Sequence, residues 1–326
     1  MKKNQPSMHQ IAKLANVSGM TVSRVLNNSG PVAEPTRQQV LRIARELGYD
    51  HYPNALSRIL RGERSNSIGV LMSFARPWLA GNIISRIDRR LFNTEYVNYI
   101  VDTYSDPVVI LRALETLAER RVDGVIYLAY TPKEMNTEIE KLLQRIRHVV
   151  IITHQELQVP FDQVVCGWSP GARQMVEYFA ACGCRRPVLL QESPIAACRQ
   201  LFEQACGECG MSAPAVITLR PEIDTDEAFE RYLEQEFGTD FPGDAVFCSH
   251  ERFRAPRSYL QRRHPEIPLA AVMDEFLIDL QRPDFPVLRR REPESGALAC
   301  EMLLRRIEAP DMPPRTEHLP MEFLPS

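Results

Sequence analysis

Apolar residues in the first fifty positions recur at intervals of three and four, the period of a helix with one buried face. Ile11, Ala12 and Leu14 form one such stripe, with Ser7 placed to cap it and the run ending near Ala15-Asn16. A second stripe, Val22, Val25 and Leu26, belongs to a helix predicted from about Gly19 to Leu26 behind the cap Ser18. Asn27-Asn28-Ser29-Gly30-Pro31 breaks it. A third helix, from about Glu34 to Leu47, turns Val40, Ile43, Ala44 and Leu47 inward and stops at Gly48. Only Asn16-Val17-Ser18 or thereabouts joins the first two helices, so they cross steeply as a helix-turn-helix. The N-terminal end of the second helix then protrudes with Gly19, Met20, Thr21, Ser23 and Arg24, none of which the core needs. Such groups reach base edges and phosphates, and the helix terminus itself attracts a phosphate.

Residues 49–66, "YDHYPNALSRILRGERSN", read as a linker holding a two-turn helix between Pro53 and Gly62. Leu56, Ile59 and Leu60 are its apolar positions and Arg58, Arg61 and Arg64 its basic ones. A helix this short is marginal in water and forms against a partner. Paired over DNA, it pushes Leu60 between bases while the arginines hold phosphates; a plain flexible tether is the alternative. From residue 66 the pattern changes to nine apolar runs: 67–72, 98–104, 122–130, 148–154, 163–167, 187–191, 213–219, 244–249 and 269–275. Helical stretches separate most of them, among them 78–91, 108–120, 133–147, 171–182 and 251–263. Strands alternating with helices predict parallel sheets, and nine strands over some 260 residues predict two α/β lobes with a ligand cleft between them.

Charge sharpens this division. The chain of 326 residues has a net charge of −3, yet residues 1–65 carry ten Lys/Arg against four Asp/Glu, so a head of +6 precedes a body of −9. A basic head on an acidic body assigns the polyanion to the head. No apolar run approaches the ~18 residues of a membrane span. "MKKNQPSMHQ" has lysines without an apolar segment behind them, so no signal peptide and a cytoplasmic location are expected. "CGC" at 182–184 and "CGEC" at 206–209 are spaced for a shared metal ion. The latter falls within or at the end of a helix and finger-like partners are missing, so reduced, mostly buried cysteines are expected, with no metal and no cofactor. No phosphate-cradling glycine loop, nucleophile elbow or H-E-x-x-H occurs, and His250-Glu251 would point apart on a helix. An enzyme is therefore not expected. A small-molecule-binding module without DNA control stays open.

"IAKLANVSGMTVSRVLNN", "TRQQVLRIARELGY" and "PNALSRILRGERSNSIGVLM" together resemble the LacI/GalR family of bacterial transcription regulators. The likeness continues more loosely through "LETLAERRVDGVIYLA", "GARQMVEYFAACGCRRPVLL" and "DAVFCSHERF". It implies an all-α helix-turn-helix headpiece (1–52), a hinge helix (53–65) and a two-lobed α/β, periplasmic-binding-protein-like effector and dimerisation domain (66–326). It also implies a homodimeric DNA-binding regulator, most simply a repressor, on a near-palindromic operator, modulated by a small effector such as a sugar. Without a leucine-heptad tail after "HLPMEFLPS", a dimer is the default. Gly19 and Met20 fall where the family discriminates bases, and Thr21, Ser23, Arg24 and Asn27 where it contacts phosphates and bases. Leu60 falls at the minor-groove wedge, with Ser57 and Arg61 beside it; Ser18 and Asn54 complete the candidate DNA-binding set. Gly19 departs from the pattern, having no side chain to offer a base, and Met20 offers only apolar contact. The resemblance places lobe crossings near 157–161, 286–293 and 310–318, with one lobe holding 66–157 and 290–310. It nominates Ser73, Trp78, His154, Arg199, His250 and Asp274 for the effector, a mix of aromatic, guanidinium and carboxylate groups suited to sugars or bases, with a degenerate, ligand-free site as the alternative.

Overall fold

Local capping sets the helices of the N-terminal unit. Ser7 accepts a hydrogen bond from the Gln10 backbone N–H at 3.3 Å, and the Gln10 side chain accepts one from the Ser7 N–H at 2.9 Å. This reciprocal box opens α1 (Met8–Ala15), and Asn16, in the left-handed region at φ 53°, ends it. Ser18 Oγ accepts from the Thr21 N–H at 3.1 Å, starting α2 (Gly19–Leu26) three residues later. The third helix, α3 (Glu34–Glu46), ends at Gly48, whose φ of +63° lets the Tyr49 N–H reach the Ala44 carbonyl at 2.8 Å. Ile11, Ala12, Ala15, Val22, Val25, Val40, Ile43 and Ala44 form the buried core. Leu14 departs from the expected stripe: the i, i+4 pair Ile11 and Ala15 faces the core, and Leu14 is 59% exposed.

The computed structural model describes residues 7–26, 29–49, 64–73, 77–130, 134–191, 196–219, 223, 225–250 and 252–325. The chain divides into compact units at residues 1–65 and 66–326. In the second unit, β1 (Ser67–Met72), α4 (Pro77–Leu91), β2 (Val97–Asp102), α5 (Pro107–Glu119), β3 (Gly124–Leu128), α6 (Thr137–Leu143), β4 (Val149–Thr153) and β5 (Asp162–Val165) build the first lobe. The second lobe contains α7 (Gly171–Ala181), β6 (Pro187–Gln191), α8 (Ala196–Glu208), β7 (Ala215–Thr218), α9 (Asp226–Glu236), β8 (Ala245–Cys248), α10 (Arg254–Arg263), β9 (Leu269–Asp274), α11 (Glu275–Gln281) and β10 (Val287–Arg290). The chain then returns through α12 (Glu292–Glu308) and β11 (Thr316–His318) and ends in β12 (Glu322–Leu324). The sheets run β11-β5-β4-β3-β1-β2 and β12-β10-β9-β8-β6-β7, parallel throughout except where β12 pairs antiparallel with β10.

The nine apolar runs are β1 to β9, most of them buried along their whole length, as parallel strands covered by helices must be. The lobe boundaries differ from expectation. Residues 157–161 do not leave the first lobe, because the Gln163 amide holds both the Leu157 N–H and carbonyl, at 2.8 and 2.9 Å, and folds the chain back into β5. The first crossing therefore follows β5. Arg306 clamps Asp162 through two hydrogen bonds of 2.9 and 2.6 Å, and β11 pairs with β5, so 310–318 also stays in the first lobe and the third crossing is 319–321. The second crossing, between β10 and α12, lies within the expected 286–293. The first lobe thus holds 66–165 and 292–318. Crossings one and three run side by side: the Leu319 N–H bonds the Val165 carbonyl and the Met321 N–H the Gly167 carbonyl, each at 2.8 Å. Helix α12 packs against α4 at Gly296, where an added Cβ would sit 2.6 Å from the Ile83 carbonyl oxygen.

Candidate functional site

Two sites are built, one in each unit. In the first, α2 turns Val22 and Val25 into the core and leaves its opening turn outside. Ser18 is exposed, and its hydroxyl, 2.9 Å from Thr21 Oγ1, fixes the start of the helix. Met20 is 65% exposed. A Cβ on Gly19 would meet nothing within 4 Å. Arg24, one turn beyond Met20, is exposed and runs past Gly30, where an added Cβ would meet its Cδ at 3.8 Å. Thr21 and Ser23 are half-buried beside these groups. An apolar tip, an arginine and a helix N-terminus presented together can enter a groove, bond bases and hold phosphate. Asn27, Asn54, Ser57, Leu60 and Arg61 lie outside the described residues.

The second site lies at the carboxyl ends of the parallel strands, where ligands of such sheets bind. Asp274 closes β9 fully buried; one oxygen accepts the Leu277 N–H at 2.7 Å, and the other is 3.4 Å from the Asn82 amide of the opposite lobe. His154 follows β4, stacks on Tyr130 with ring centroids 4.1 Å apart, and places Nε2 3.4 Å from Glu292 Oε1. His250 follows β8; it is buried, its Nδ1 accepts the Arg252 N–H at 3.1 Å, and its ring tilts against Phe229. Ser73 is half-buried just past β1, and the Trp78 side chain lies outside the described part of the protein. Arg199 stands apart from these groups. It is exposed on α8 and paired with Glu203 at 2.7 Å, while its neighbour Cys198 is the one turned into the core.

Tyr130, Arg290 and Glu292 were not legible as site residues. Arg290 is the last residue of β10 and Glu292 opens α12, so the second crossing brings guanidinium and carboxylate within 3.6 Å, both buried. Burial alone would push the Glu292 carboxyl up, but Arg290 and then His154 outweigh it and hold it below the ordinary carboxylate value. Burial pushes the Tyr130 phenol well up, so it keeps its proton. Among the described residues no group of three or more His, Cys, Asp or Glu side chains is arranged to hold a metal. All eight cysteines are free thiols, and burial pushes Cys198 and Cys206 up to about 12. No described helix is long and apolar enough to cross a membrane.

Residues 7–54 match the family model described as bacterial regulatory proteins, lacI family. The chain is 37% identical over 122 residues to the sucrose operon repressor of Pediococcus pentosaceus, a stretch covering 37% of each protein. It is 27% identical over 249 residues to the HTH-type transcriptional repressor PurR of Klebsiella pneumoniae (strain 342), covering 74% of this chain and 71% of that one. The structure of the lac repressor dimer bound to operator shares the fold, with a TM-score of 0.75 at 18% identity over 98% of both chains.

Proposed function

We propose that the chain, whose residues 7–54 match the lacI family model, is a transcriptional repressor of that family binding a near-palindromic operator as a homodimer. In this reading residues 1–52 are the DNA-binding headpiece, 53–65 the hinge and 66–326 the effector and dimerisation domain. The observation that carries it is the exposed opening turn of α2, with Met20 and Arg24 one turn apart on a face the core does not use. Each headpiece sets this turn into a major groove, with half-sites about 34–36 Å apart if spaced like other helix-turn-helix dimers. Leu60 is assigned the minor-groove wedge, with Ser57 and Arg61 beside it, on the strength of the family pattern.

Two further features support the reading. Val97, Tyr99 and Ile100 on β2, together with Phe92, Phe276 and Leu280, are large apolar side chains 40% or more exposed. Apolar surface of this kind suits burial against a second copy of the chain. The cleft joining Asp274, His154 and Glu292 suits a small effector, and the relative named for the sucrose operon favours a sugar-like one. An effector that changes the lobe angle needs only about 1–3 kcal/mol of coupling to alter operator affinity 5- to 150-fold.

Selection of duplexes from a random library by the full chain, followed by anisotropy titration against salt, tests the proposal. A palindromic consensus bound by two subunits is expected. Absence of preference for any selected duplex at modest ionic strength overturns it.

A further inference from the structure

Buried polar atoms are nearly always hydrogen-bonded, and one left alone destabilises the fold. Among the described cleft residues, the atoms that break that rule include both ring nitrogens of His154 and three others, one each on Glu292, Tyr130 and Gln191. Glu292 is 1% exposed; its Oε1 faces Arg290 and His154, while its Oε2 is buried without a hydrogen-bond partner. The Tyr130 hydroxyl, on the ring stacked with His154, is also buried and unpartnered. In the other lobe Gln191, 3% exposed at the end of β6, spends its Nε2 on Thr218 Oγ1 at 2.9 Å and leaves Oε1 without a partner. Two of the three accept only, and they close strands or crossings of opposite lobes. The buried cation beside them, Arg290, already faces the Glu292 carboxylate.

We infer that Glu292 is the effector-anchoring residue of this cleft, its Oε2 accepting a hydrogen bond from a hydroxyl or ammonium donor, while Gln191 Oε1 accepts another from the opposite lobe. The effector is accordingly a donor-rich molecule, neutral or cationic. A sugar acid or sugar phosphate set against Oε2 would bring two negative charges together in a buried site whose nearby guanidinium is already matched. This rests on the reading of the cleft as an effector site.

The test uses calorimetry and thermal shift on the full chain with sucrose, D-glucose, D-ribose, D-glucosamine, D-glucuronate and D-glucose 6-phosphate. Binding is expected only among the first four. Glu292→Gln is expected to weaken it about tenfold to a hundredfold, the size of a lost hydrogen bond to a charged group. Because that variant also strips a counter-charge from Arg290, Tyr130→Phe is measured beside it. Deleting an unpartnered hydroxyl leaves the melting temperature unchanged or higher, so weaker binding there marks ligand contact rather than damage. Asp274→Asn separates the two levels of the claim. Preference for the acidic sugars, or affinity lost in Asp274→Asn yet unchanged in the other two variants, overturns the role of Glu292 and leaves the cleft an effector site. Binding insensitive to all three substitutions, or no binding by any probe, overturns both.

Discussion

In the proposed DNA-binding mode, Gly19 and Met20 give the opening turn of α2 little with which to hydrogen-bond a base, so discrimination is expected to rest on Arg24. A good base contact is worth about 1–3 kcal/mol against the wrong base. Arg24→Ala is therefore expected to weaken the selected operator by about that much more than a random duplex, read by anisotropy. Equal loss on both, with a shallower salt slope, would make Arg24 a phosphate anchor instead. At Gly19 the open space invites a gain: Gly19→Gln should keep the melting temperature while adding a base preference that selection from a random library detects. Glu292 makes a prediction about acid. A carboxyl held below its ordinary value stabilises the folded state above that value, and the contribution fades as pH falls through the depressed one. Below about pH 4.3, the ordinary glutamate value, the wild type should lose melting temperature faster than Glu292→Gln.

At the scale of elements, close approach is the sharpest constraint. Gly296→Ala drives a methyl into the Ile83 backbone, and overpacking of this kind costs about 1–3 kcal/mol. A lower melting temperature is expected, with α12 and α4 forced apart. Seven of the strands β1 to β9 were legible because burial on both faces leaves continuous apolar runs, while the edge strands β2 and β7 keep apolar residues although partly exposed. The strands β10, β11 and β12 were not, being three or four residues long and carrying arginine, glutamate or histidine. Arg289 shows why charge fits there: it is bonded to Glu322 across the antiparallel pair. The lobe crossings were misplaced because nothing local reveals that Gln163 and Arg306 hold their segments to the first sheet. The same reasoning covers the sites. The opening turn of α2 announces itself through Ser18 and the apolar spacing, whereas Glu292 becomes a site residue only when β4 and the second crossing meet in space. Arg199, one position from a buried residue, faces solvent because a single step along a helix turns a side chain by about 100°.

For the whole molecule, the unsatisfied apolar side chains Phe276 and Leu280 lie on one helix, α11, in which the described residues include none that is buried. If the proposed homodimer buries this face, Phe276→Asp with Leu280→Asp leaves circular dichroism unchanged and shifts sedimentation from dimer to monomer, with steep loss of affinity for the selected duplex. A dimer that persists would move the interface elsewhere. The paired first and third crossings carry a mechanical consequence. Two straps hydrogen-bonded to each other at Leu319 and Met321 resist sliding past one another better than single strands do, so a nod about that ribbon is the motion they oppose least. A molecule that enters between the lobes is therefore expected to act by setting how far the jaw is shut.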